Sequence, residues 1–396
     1  MRFGLERIQR LVTALGMPQH RFASAHVVGT NGKSSVTEMI AALLEAHGLA
    51  AGAYLSPHDE RWRERIRIRG AEIEPDAFGA AVERVAQAVE VVERSLDPGE
   101  AVTQFEADTA SAFVALAAAR VEAAVIEAGL GGRLDATNVI PSKLTVLTSI
   151  GLEHTQFLGS TETEIAAEKL AVLRDHTTLV TGPLSPEVER LARRVAAERS
   201  ARIVTVRELA DAVELASAAP YLRRNFAVAL AAAEVMLGSL DPERVRGVAA
   251  ELDLRGRMQV IAGDPPLVLD AAHNPAGAAA LAEALPAIAA GRPVIGCLAV
   301  LADKDAAGLV GALAPALAAV VATEVPADVL ASAGRPGARA LEAADLAEVA
   351  RGAGLGTVEQ APDPAAAIAR ARELADAQGG VLLVTGSHYL LRYAGG

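Results

Sequence analysis

One stretch restricts the fold more than any other: Gly29-Thr-Asn-Gly-Lys-Ser-Ser35, preceded by Ala25-His-Val-Val28 and followed by Val36-Thr-Glu-Met-Ile-Ala-Ala-Leu-Leu-Glu45. It reads as an apolar strand, a turn with two glycines and an amphipathic helix. Such a turn lets backbone approach an anion closely, and the helix N-terminus aims free N–H groups and partial positive charge at it. Gly29, Thr30, Asn31, Gly32, Lys33, Ser34 and Ser35 are therefore candidate phosphate contacts, with Lys33 bridging terminal phosphates and Ser34 or Ser35 holding a magnesium ion. The general phosphate-loop pattern has an earlier glycine where this chain has Val27. The turn alone fits either a nucleotide site or a plain strand-to-helix connection.

The rest of the chain repeats apolar runs that end in polar residues. Ala123-Ala-Val-Ile-Glu127 is a strand ending in a carboxylate, followed by the glycine-rich Ala128-Gly-Leu-Gly-Gly-Arg-Leu-Asp-Ala-Thr-Asn138. The carboxyl ends of parallel strands are where α/β proteins bind ligands, so Glu127 is a candidate Mg²⁺ group. Leu144 to Ile150 predicts the next strand and delivers His154, a candidate metal ligand, to the same rim. A helix from about Thr161 carries Lys169 among alanines and leucine, a setting in which a lysine can snorkel to solvent. A long helix from Pro220 bears Asn225; a turn at Leu254 to Arg257 precedes a strand at Pro265 to Asp270 and the polar run Asp270-Ala-Ala-His-Asn-Pro275. Further strands are expected at 294–300, 318–323 and 381–385. This alternation predicts an α/β chain: an N-terminal P-loop-type doubly wound, mostly parallel sheet (1–258) and a smaller C-terminal Rossmann-like α/β domain (259–396).

Arg61-Trp-Arg-Glu-Arg-Ile-Arg-Ile-Arg69 places arginine at every odd position. Period two predicts a strand with one wholly basic face, either solvated or guiding an anionic substrate. The whole chain of 396 residues carries a net charge of −12, which argues against nucleic acid or an anionic membrane as main partner. Cys297 is the single cysteine, so no intrachain disulfide or thiolate cluster can form; we read it as buried filler in a reducing compartment. No signal-like or membrane-spanning run is evident, and a cytoplasmic location is expected.

Taken together, His26-Val-Val-Gly-Thr-Asn-Gly-Lys33, Ser56-Pro-His58 with Glu64-Arg-Ile66, Glu127 through Asn138, Gly151 to Gly159, Glu168-Lys169, Asp270 to Pro275 and Asp303-Lys-Asp305 resemble, in the same order, the folylpolyglutamate synthase/dihydrofolate synthase family, a branch of the Mur ligases. The resemblance spans almost the whole chain. It implies an ATP-dependent ligase that adds L-glutamate to dihydropteroate or a reduced folate through an acyl phosphate. It further implies that Lys33 contacts the β- and γ-phosphates and that Ser34, Ser56, Glu127 and His154 hold two Mg²⁺ ions. Lys169 matches a lysine that is carbamylated in the family and supports the metal. Asn225 resembles an adenine contact and Arg257 a γ-phosphate contact, while Asp270 and His273 resemble groups that meet nucleotide and amino acid, either one a candidate base. A monomer is expected on the same ground. Two departures stand out: Ser34 replaces a glycine common in folate members, and Asp59 follows Ser-Pro-His where an apolar residue is usual.

Two other functions are weighed against this one. One is another Mur-family ligase acting on a non-folate carboxylate; its nearest form, a cell-wall ligase acting on a uridine nucleotide precursor, is expected to carry a further domain ahead of the nucleotide loop, and about thirty residues before Lys33 are too few for one. A P-loop regulatory ATPase would need neither the Glu127, His154 and Lys169 series nor the Asp270 to His273 run.

Overall fold

A computed structural model describes residues 4–395 apart from 59, 207, 210–212, 218 and 336; Asp59 thus lies outside the described residues. The chain divides into two compact units: 1–214 with 224–251, and 215–223 with 252–396.

The first unit is built on eight strands: β1 (Ala23–Val28), β2 (Ala51–Tyr54), β3 (Ile66–Ile68), β4 (Ala71–Glu72), β5 (Ala123–Glu127), β6 (Leu144–Leu147), β7 (Thr178–Thr181) and β8 (Arg202–Thr205). Their order is β4-β3-β2-β5-β1-β6-β7-β8. Strands β2, β5, β1, β6, β7 and β8 pair in parallel, and β3 runs antiparallel to both of its neighbours, β2 and β4. β1 therefore lies between β5 and β6, with Val27 opposite Glu127 and Val28 opposite Leu147. That register brings three strand exits together at one edge, the place where such sheets bind ligands. β5 and β6 are buried throughout and β1 from Ser24 on, which fits their mainly apolar sequences and a sheet covered on both faces.

Helices α1 (Glu6–Ala14), α2 (Lys33–Ala46), α3 (Pro75–Glu93), α4 (Gln104–Ala118), α5 (Thr155–Leu158) and α6 (Glu162–Leu170) belong to this unit. One core joins α1, α3 and α4 to the sheet through Ile8, Leu11, Val85, Phe113 and Ile126. A second, on the β6–β7 side, contains Leu147, Leu170, Leu179 and Leu191. α6 begins with a reciprocal cap in which Glu164 N donates to Thr161 Oγ1 (3.2 Å) and Thr161 N to Glu164 Oε2 (3.2 Å).

The basic strand expected over 61–69 is corrected. Arg61 is the N-cap of a 3₁₀ turn at Trp62–Arg65, and only Ile66–Ile68 is strand. Glu64 causes this by reaching back to the Arg61 amide (3.0 Å), which curls the chain. The arginines also do not form one basic face. Arg63 and Arg61 pair with Glu72, Arg67 with Glu38, and Arg65 is buried against Asp108.

The second unit holds β9 (Gln259–Ile261), β10 (Leu267–Leu269), β11 (Val294–Leu298), β12 (Ala319–Ala322), β13 (Val358–Gln360) and β14 (Val381–Thr385), in the order β13-β12-β11-β14-β10-β9. β9 is antiparallel to β10 and the others are parallel. Cys297 is buried in β11, where desolvation pushes its thiol up to about 12, so it is inert packing. No described helix is long and apolar enough to cross a membrane.

Candidate active site

At the C-terminal end of β1 the chain turns through Gly29 (φ 155°) and Gly32 (φ 83°), the latter being the N-cap of α2. Both glycines are required. A Cβ on Gly29 would run into the Thr148 hydroxyl, and one on Gly32 would lie 2.7 Å from Asn225 Oδ1. The turn is stitched to the β6 exit: Thr30 N donates to Ser149 O (2.8 Å), Asn31 N to Ser149 Oγ (3.0 Å) and Thr148 Oγ1 to Asn31 O (2.7 Å). Lys33 Nζ folds back onto Thr30 O (3.1 Å), so the cation stays over the turn.

Glu127, 1% exposed, sits beside this turn. Ser34 Oγ donates to its Oε1 and the Ser56 amide to its Oε2, each at 3.1 Å. The structure thus brings together three of the predicted metal residues, Ser34, Ser56 and Glu127, from three different strand exits. His154, the N-cap of α5 in a left-handed conformation, stands with Nε2 3.7 Å from Glu153. Among the described residues no three His, Cys, Asp or Glu side chains converge as a metal cluster. The available ligand set is instead a carboxylate with serine hydroxyls, hard oxygen donors that suit Mg²⁺ or Mn²⁺.

Lys169 is buried and donates to Gly29 O at 2.7 Å. The snorkelling alternative is therefore excluded. Burial and then the nearby Lys33 charge bring its amine down to about 7, against the pull of Glu153, Asp135 and Glu168. The glycine-rich loop holds this lysine in place. A Cβ on Gly132 would lie 2.9 Å from the carbonyls of both Glu168 and Lys169, and Arg133 pairs with Glu168 at 2.9 Å.

Sequence reasoning missed a buried chain beneath the loop. His26 Nε2 meets Thr137 Oγ1 (2.8 Å), Thr137 Oγ1 donates to Asp135, and burial holds the His26 imidazole down to about 3, hence neutral. Its only sequence signal is polar residues within apolar runs.

In the second unit, Arg257 Nη1 donates to Gly256 O (3.0 Å) and His273 Nδ1 lies 2.9 Å from Ala271 O. Asp270 is fully engaged: Tyr221 Oη (2.6 Å) and Met258 N (2.8 Å) donate to Oδ2, and Ala272 N (2.9 Å) to Oδ1. In this arrangement Asp270 organises the β10 exit. Asp270→Ala is expected to destabilise the protein by about 3 kcal/mol, because it leaves buried donors without an acceptor; denaturant unfolding checks this, and a change below about 0.5 kcal/mol would refute the role.

A glycine turn at a helix N-terminus, an adjacent carboxylate–serine set and a buried amine, in a chain with a second α/β unit, suit a Mur-type ligase. Residues 27–229 match the Mur ligase middle domain and residues 256–388 the Mur ligase glutamate ligase domain. The chain is 35% identical to the dihydrofolate synthase/folylpolyglutamate synthase of Mycobacterium tuberculosis over 358 residues, 81% of this chain and 74% of the relative. Its fold matches the M. tuberculosis folylpolyglutamate synthase solved with ADP and AMPPCP (TM-score 0.92, 32% identity, 99% of this chain and 95% of the other). It also matches the bifunctional folylpolyglutamate synthase/dihydrofolate synthase of Yersinia pestis solved with AMPPNP and a Mn ion (TM-score 0.86, 29% identity, 100% and 93%). The chain belongs to the dihydrofolate synthase/folylpolyglutamate synthase family.

Proposed function

We propose that the chain is an ATP-dependent ligase joining the amine of L-glutamate to the carboxylate of dihydropteroate, a reduced folate, or both, with release of ADP and phosphate. The observation that carries this reading is the meeting of Ser34, Ser56 and Glu127 beside the Gly29–Gly32 turn, with Lys33 and Lys169 on the same turn.

Joining a carboxylate to an amine in water is uphill, so the acceptor carboxylate oxygen first takes the γ-phosphoryl group of ATP and ADP leaves. The glutamate nitrogen then attacks the acyl carbon, phosphate departs, and the amine gives up a proton. Phosphoryl transfer between two anions is chiefly a problem of position and charge. Lys33, together with the free N–H groups of the α2 N-terminus, binds the terminal phosphates and balances charge that spreads during transfer. Two divalent cations held by Ser34, Ser56, Glu127 and His154 would supply further charge neutralisation and in-line geometry. Lys169, whose amine burial brings down to about 7, would add CO₂ through Nζ with loss of a proton, and the resulting carboxylate would support the metal. Asn225, packed on Gly32, orients the adenine side of the nucleotide. From the second unit, Arg257 serves the γ-phosphoryl and His273 the incoming amino acid. The chain acts as a cytoplasmic monomer without a nucleic-acid partner.

ADP release by the purified chain with ATP, Mg²⁺ and either dihydropteroate or tetrahydrofolate is expected to depend on glutamate. Turnover indifferent to glutamate with both acceptors would favour a regulatory ATPase and sink the folate assignment.

A further inference from the structure

Helix α4 carries Asp108, 8% exposed, on its buried side, and its carboxylate is the centre of a buried network that no part of the proposed chemistry uses. Asp108 Oδ2 accepts from Arg65 Nη1 (2.8 Å) and from the Tyr54 hydroxyl (2.8 Å). The Arg65 guanidinium also donates through Nε to His58 Nδ1 (2.9 Å) and lies 4.5 Å from the centre of the Trp62 ring, which itself stands 4.5 Å from the His58 ring. The Arg65 carbonyl accepts from Leu55 N (2.8 Å). Tyr54, Leu55 and His58 flank Ser56, whose amide holds Glu127. One arginine thus clamps both ends of the segment that presents Ser56 to the carboxylate, and Asp108 aims the arginine.

A buried ion pair is a poor source of net stability, since desolvation consumes most of its attraction; its best-attested use is to fix one arrangement among several. Here the fixed arrangement is that of the segment 55–58. We infer that Arg65 and Asp108 are positioning residues for the divalent-cation site: they hold Ser56 on Glu127 and thereby set metal affinity. The inference rests on the metal role proposed for Ser56 and Glu127. It also explains why Arg65 is withdrawn from the basic surface that its sequence neighbours suggest.

Mn²⁺ titrated into the full chain with ADP and followed by electron paramagnetic resonance tests this directly, with the KM for Mg²⁺ in turnover as second readout. Arg65→Lys keeps a cation for Asp108 but cannot also reach His58 with a second planar donor, so it is expected to fold normally and bind Mn²⁺ about tenfold more weakly, the usual scale for groups that orient ligands. The apolar pair Arg65→Met with Asp108→Leu removes both charges together, which protects the fold against a single unpaired ion. It is expected to weaken Mn²⁺ binding about tenfold or more, raise the Mg²⁺ KM in parallel and leave ADP affinity in EDTA unchanged. Folded variants with wild-type Mn²⁺ affinity would overturn the inference while leaving the proposed function standing. A wild-type chain that binds no Mn²⁺ with ADP would overturn both.

Discussion

Lys169→Ala is expected to lower glutamate-dependent ADP release by about 10²–10³-fold, the scale of losing one preorganised charge-stabilising group. Bicarbonate, acetate or another short carboxylate should restore part of it, about tenfold, by filling the space left by the side chain. The basis is the environment of the amine. Burial first, and the Lys33 charge second, bring Lys169 down to about 7. About half of it is then neutral at pH 7, against on the order of one part in 10³ for an ordinary lysine. Only the neutral amine adds CO₂. Turnover in CO₂-free buffer should therefore recover on adding bicarbonate near neutral pH, and ¹³C NMR with labelled bicarbonate should show a carbamate in the wild type alone. Unchanged turnover in Lys169→Ala would remove the residue from the site.

The same lowered pKa makes a stability statement for the CO₂-free protein. The folded state disfavours the charged amine and the unfolded state does not, so the unfolded chain binds the extra proton between pH 7 and about 10.5, and stability rises with pH across that window. The penalty is complete below pH 7. Lys169→Met should accordingly raise Tm at pH 6–7 and lose this advantage toward pH 10. A loss of Tm at pH 6–7 as well as at pH 10 would mean that the lysine is stabilised by its bond to Gly29 O rather than penalised by burial.

Why some of this was legible in the sequence, and some not, follows from the range of the interactions. Glu127, Lys33 and the glycines announce themselves because each marks a local event, a strand that ends or a backbone that must turn left-handed. The doubly wound order likewise follows from apolar runs separated by helical periods. The Arg61–Arg69 stretch misleads because its period of two is real but its partners are remote. Arg65 finds Asp108 across 43 positions, and Glu64 bends the chain before a strand can form. An aspartate in an alanine-rich helix is the one hint, and without its partner it looks like a solvated residue. β9 and β13, three residues each, are too short to show any period. The place of Asp270 after an apolar strand is legible, but the three donors that its carboxylate accepts from are not, because Tyr221 and Met258 lie 49 and 12 positions away.

Glu127→Gln separates the two jobs of the central carboxylate. Its oxygens accept from two donors of different kinds, the fixed amide of Ser56 and the rotatable hydroxyl of Ser34. A glutamine can satisfy both: its carbonyl oxygen faces the Ser56 amide, and its NH₂ faces Ser34 Oγ, which turns to accept. The loop geometry is thus preserved and the charge alone is lost. We expect a folded protein with ADP affinity in EDTA unchanged, Mn²⁺ affinity lowered at least tenfold, and kcat/KM down by about 10³, since both metal occupancy and charge balance in phosphoryl transfer suffer. Glu127→Ala should do this and also free Ser34 and Ser56, so it should lose thermal stability where Glu127→Gln does not. If Glu127→Gln binds Mn²⁺ within threefold of wild type, Glu127 is no metal ligand, and its contacts with Ser34 and Ser56 serve only to close the nucleotide turn.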